Sequence, residues 1–73
     1  MPLFDARQTG GDNAMRSNFS DADVQFRNGD KKLACDVSIA AAEMTVSQYR
    51  DISRETMDIL RKYQKRCGRY AFK

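Results

Sequence analysis

The residues able to do chemistry in this chain are two cysteines, Cys35 and Cys67, the carboxylates Asp51, Glu55 and Asp58, and the pair Gly10-Gly11. A thiolate or hydroxyl nucleophile needs a base, and the sequence holds no histidine. That removes the Ser-His and Cys-His pairs together with the commonest metal ligand. The cysteine spacing matches no zinc pattern, so the chain cannot assemble a four-ligand zinc site. A single disulfide is arithmetically open, but a cytosolic chain keeps its thiols reduced. Each cysteine falls on an apolar face where it can pack as a small hydrophobe, and packing is the expectation. The three carboxylates recur at helical spacing among arginines, the pattern of a solvated face and not of an acid and base pair. Gly10-Gly11 leads into Asp12-Asn13, an acidic turn with the wrong charge for a phosphate cradle. No catalytic residue, metal site or cofactor is expected, and the chain reads as a non-enzyme.

With 73 residues, 41% of them apolar and 32% charged, the chain makes one small folded domain, too short to enclose a deep site. No apolar stretch reaches the roughly 18 residues of a membrane helix. The opening Met1-Pro2-Leu3-Phe4-Asp5 lacks the basic and apolar regions of a secretory signal, so a cytoplasmic protein is expected.

The elements that would position a site read as α+β. Residues 1–22 show no sustained period and are expected to form a flexible, disordered arm, with Phe4 and Phe19 as anchors if it orders on a partner. Residues 23–73 form the single small domain. Asn28-Gly29 is a strong short signal for a type I′ turn, and it predicts a β-hairpin with Val24, Phe26, Leu33, Cys35 and Val37 on one face. Residues 38–43 favour a short helix. Thr45-Val46-Ser47-Gln48 reads as a capping box, with Met44 and Tyr49 as its hydrophobic staple. It opens one long amphipathic helix over residues 46–67, whose core stripe holds Tyr49, Ile52, Thr56, Ile59, Leu60, Tyr63 and Cys67. Gly68 supplies the C′ position behind Lys65 and Arg66. Residues 69–73 alternate, as a third short strand or a loose end.

Charge is concentrated at the C-terminal end. Residues 45–73 hold eight of the thirteen basic groups, and beyond Arg61 no acidic residue occurs. On one continuous helix Arg50, Arg54, Arg61 and Lys65 fall within about 60° of one another, opposite the apolar stripe. A protein partner of mixed charge tolerates the neighbouring acids better than a nucleic acid does. The acid-free end, Arg66, Arg69, Tyr70, Phe72 and Lys73, is the alternative surface, where cations touch phosphates and rings stack on bases.

Residues 45–56, Thr-Val-Ser-Gln-Tyr-Arg-Asp-Ile-Ser-Arg-Glu-Thr, resemble the helix-turn-helix of winged-helix and MerR-like regulators. The resemblance implies a recognition helix starting near Ser53, with Ser53, Arg54, Glu55 and Arg61 facing the groove. The segment lacks the turn that separates the two helices in those families, so a single helix is expected. In size and layout the chain is similar to small phage-encoded inhibitors of bacterial RNA polymerase, which implies occlusion of a functional surface with no chemistry of its own.

The sequence thus predicts a small, monomeric, non-enzymatic transcription regulator acting in the bacterial cytoplasm. It binds a larger protein such as RNA polymerase through Arg50, Arg54, Arg61 and Lys65, with direct nucleic-acid binding as the alternative.

Overall fold

Met15, Phe19, Ala22 and Phe26 recur at intervals of four, three and four, the spacing that puts side chains on one face of a helix. They form the inner face of the first helix, α1, Gly11–Arg27, with Met15, Phe19 and Ala22 buried. The computed structural model describes residues 9–68. In these residues the architecture is all-helical, with no strand. The expected α+β hairpin and disordered arm are both overturned, because α1 runs through the residues assigned to the arm and to the first strand. Leu3, Phe4 and the rest of residues 1–8 lie outside the described residues, as do residues 69–73 with the third strand proposed there.

The hairpin fails at its strongest signal. Asn28 closes α1 and Gly29 takes the left-handed conformation, φ 80°. The Gly29 N–H donates to the Phe26 carbonyl over 3.0 Å and the Asp30 N–H donates to the Gln25 carbonyl over 2.9 Å. These two bonds are the Schellman ending of a helix, which needs positive φ at Gly29 alone, whereas a type I′ turn needs it at Asn28 too, and Asn28 has φ −81°. Asn-Gly serves either structure, and the apolar period before it decides. Val24, Leu33 and Val37, expected on the covered face of the ribbon, are exposed.

The second helix, α2, spans residues 31–46 in three consecutive stretches: an α-helical turn Lys31–Leu33, a π-helical stretch Ala34–Ile39 and an α-helical end Ala40–Val46. Asp30 caps it, accepting the Leu33 N–H over 3.1 Å. The expected helix over 38–43 lies within it. Ala34, Cys35, Ser38, Ile39 and Ala42 are buried against α1 and the last helix.

The last helix, α3, is Arg54–Arg66. Thr45 does not open it. Its hydroxyl donates to the Ala41 carbonyl over 2.8 Å near the end of α2, and residues 47–53 form a connection. The N-cap is Ser53, whose oxygen accepts the Thr56 N–H over 3.2 Å. The long helix over 46–67 is thus interrupted, and the extended backbone of Ser53 (φ −71°, ψ 159°) marks the break. At the other end Gly68 occupies C′ with φ 71°, as its position behind two cations foretells, and its N–H donates to the Lys65 carbonyl.

Met15, Phe19, Ala22, Ala34, Ile39, Ala42 and Leu60 make one core cluster drawn from all three helices. The alanines let the helix backbones come close, and Leu60, fully buried, contributes about 2 kcal/mol by its removal from water. Buried polar groups are paired between helices. The Ser38 hydroxyl donates to Gln25 Oε1 over 2.7 Å, and Gln64 Nε2 donates to Glu43 Oε2 over 2.8 Å.

A disulfide joins Cys35 to Cys67, with Cα atoms 5.7 Å apart. The expectation of two reduced, packing thiols is corrected. Both cysteines do face apolar surroundings, and the fold brings those two faces together. Among the described residues no helix is long and apolar enough to cross a membrane.

Candidate functional site

Two reciprocal contacts fix the start of α3. The Asp51 carboxylate accepts the N–H groups of Gly10 and Gly11 over 2.7 and 2.9 Å, capping the N-terminus of α1 from the connection. In return Asp12, in the first turn of α1, accepts the Ser53 N–H over 2.8 Å. That backbone hydrogen bond is the main reason the Asp12 carboxyl is held below its ordinary value, against a smaller opposing effect of burial. The contact needs Gly11. A Cβ there would stand 2.6 Å from Ile52 Cγ1 and 2.8 Å from both Asp51 Oδ1 and Tyr49 Cβ. Gly10-Gly11-Asp12 is therefore a docking step between helices and not a loose acidic turn.

The disulfide and the left-handed Gly68 fix the other end of α3, so its outer face is presented on a rigid rod. Arg54, Arg61 and Lys65 stand at i, i+7 and i+11, in one exposed row. Arg61 also pairs with Asp58 over 3.0 Å. With both side chains more than half exposed, that pair adds only a few tenths of a kcal/mol and leaves Arg61 available. Arg50, expected in the same row, lies in the connection before the helix begins, exposed but outside the row.

The three carboxylates singled out in the sequence are separated. Asp51 caps α1, Asp58 pairs with Arg61, and Glu55 lines a shallow depression beside Ser53 and Thr56. Among the described residues no cluster of metal-ligating side chains forms.

On the flank nearer α1, Tyr63 is stacked between two rings. Its centroid is 5.1 Å from that of Phe19 and 6.2 Å from that of Phe26. The Tyr63 hydroxyl donates to Asp23. Burial, then the hydrogen bond and charge of Asp23, push the phenol up to about 12. Arg66, a member of the alternative nucleic-acid set, lies over the Phe26 ring at 3.7 Å from its centroid, which orients its guanidinium. Arg69, Tyr70, Phe72 and Lys73 lie outside the described residues.

The sequence reading missed Asp12, Asp51, Asp23 and Phe26 as organisers of this face. Ser53 followed at N3 by Thr56, with Asp51 just before, is the signal that places the helix start correctly.

These features define a class: a small three-helix domain tied by one disulfide, with a basic row along its last helix. Comparison of the chain with family models, with curated proteins and with solved structures gave no match in any of the three. The segment that resembles a helix-turn-helix does contain a helix end, a connection and a helix start. Its Thr45-Val46 pair closes the first helix, however, where the resemblance has it open one.

Proposed function

We propose that this protein is a non-enzymatic regulator that binds an acidic surface of a larger protein through Arg54, Arg61 and Lys65 and acts by occluding that surface. The observation that carries the reading is the exposed cationic row on a helix fixed at both ends. Such a row steers a partner into register and loses little conformational freedom in doing so. Arg50 adds charge beside the row without belonging to it.

RNA polymerase is the first partner to test. The layout behind that resemblance, a hairpin beside one long helix, is not the layout found, so the basic row alone supports it. A cytoplasmic site of action belongs to the same proposal. The disulfide favours an oxidising compartment, so a cytoplasmic role requires the reduced chain to keep its fold.

The test is a pull-down from bacterial lysate with the tagged chain, with and without nuclease, washed at low and high salt. A defined protein that survives nuclease, and is lost from the variant carrying Arg54→Glu, Arg61→Glu and Lys65→Glu, supports the proposal. Equal retention by the folded triple variant removes the row from it. Recovery of nucleic acid alone, falling steeply with salt, replaces it with the alternative reading.

A further inference from the structure

Two open depressions adjoin one another where the C-terminal half of α1 faces α3. They measure about 320 and 360 Å³ and share Asp23 and Arg66 as walls. Phe26 and Arg27 also line the first, and Ile59, Lys62 and Tyr63 the second. This cleft lies on a different flank of α3 from the row of Arg54, Arg61 and Lys65.

Its chemistry is lopsided. Arg27, Lys62 and Arg66 make no salt bridge among the described residues. Asp23, the one carboxylate among the described lining residues, already accepts the Tyr63 hydroxyl. Arg66 is held in place by the Phe26 ring, so its guanidinium is oriented before any ligand arrives. Ile59 stays 41% exposed next to the fully buried Leu60, leaving an aliphatic patch beside Lys62 and Arg66.

The geometry points to this cleft as the docking site for an acidic peptide segment of a partner protein, with carboxylates on Arg27, Lys62 and Arg66 and one apolar side chain on Ile59. The inference rests on the protein-binding reading above and names the chemistry of what is bound. A peptide is favoured over a nucleic acid by Asp23. A phosphate backbone carries charge at every unit and must pass that carboxylate, whereas a peptide can set an uncharged residue beside it.

The probe is the capped peptide Glu-Asp-Leu-Phe-Asp-Glu, titrated into the isotope-labelled full chain while backbone amide shifts are followed. Two controls use the same peptide with lysine at every acidic position and a twelve-base oligothymidine. Saturable shifts centred on residues 26, 27, 59, 62, 63 and 66, absent with the lysine control, are expected. The double variant Arg27→Glu, Lys62→Glu weakens binding by about tenfold or more, and Ile59→Ser, at an exposed position, weakens it too.

Equal binding of the lysine control, tighter binding of the oligothymidine, or no shift at all overturns the cleft. Shifts centred on Arg54, Arg61 and Lys65 overturn it while leaving the larger-partner reading in place. If the pull-down also recovers no protein, both readings fall.

Discussion

Asp12, in the first turn of α1, accepts the backbone N–H of Ser53, the N-cap of α3, over 2.8 Å. One carboxylate thus connects two helix starts that are 41 residues apart in sequence, and Asp51 answers from the opposite side by capping α1. The two N-termini face each other through these side chains.

The Asp12 bond makes stability depend on acid. The folded carboxyl titrates below its ordinary value of 3.8, so its contribution is fully present above that pH and is lost as pH falls through the lower folded value. Asp12→Asn should therefore be less stable than the parent at pH 7, with the gap closing below about pH 4. Urea midpoints at pH 7 and pH 3 check this, and a gap that stays constant contradicts it.

Gly11→Ala should destabilise the protein by about 1 to 3 kcal/mol, because the new methyl group meets Ile52, Asp51 and Tyr49 at once. Alanine is otherwise the better helix former, so an unstrained site would be stabilised instead. Asp51→Ala removes the cap alone and should cost about 1 kcal/mol. Thermal melts of both variants separate the steric effect from the capping effect.

Tyr63 gives the opposite pH dependence. Its phenol is raised from 10.0 to about 12, so the neutral form is favoured by the fold. That stability is present below pH 10 and is lost as pH rises towards 12. Tyrosinate absorbance should show a late step near pH 12 that vanishes in Tyr63→Phe. The variant should also lose part of the alkaline instability of the parent.

The disulfide closes a long loop and should stabilise the fold by about 4 kcal/mol through the entropy of the unfolded chain. Reductant, or Cys35→Ser with Cys67→Ser, should lower the urea midpoint accordingly. A reduced chain that still unfolds cooperatively keeps a cytoplasmic role open, and one that loses its helical signal closes it.

Much of the second half was legible in the sequence. Gly68 ends α3, and Thr56, Leu60 and Tyr63 face inward as the 3.6-residue period requires, while Ile59, assigned to the same stripe, is exposed. The first half was lost at one boundary. Ending the arm at residue 22 split Met15, Phe19 and Ala22 from Phe26, and the remainder of the period was too short to show. Asn28-Gly29 then drew Phe26 into a strand, since a helix ending and a hairpin turn both place a glycine at positive φ. Thr45 misled for a related reason: a box of capping residues does not say which side of it the helix lies on. The disulfide and the Asp12–Ser53 contact depend on how the helices dock, and no local pattern encodes that.

Cys67 stands directly before the left-handed Gly68 at the end of α3, and Cys35 stands in α2. A pulling force applied between the chain ends therefore travels along α1 into α2, crosses the covalent bond and leaves at residue 67. The intervening residues, α3 among them, carry no load. Stretched in the oxidised form, the protein should lengthen only by the chain outside the bridge. Reduction should release a further 32 residues, on the order of 110 Å of contour. The basic row thus lies inside the covalent loop and bears no direct tension, but its helix loses its docking contacts once α1 is drawn out.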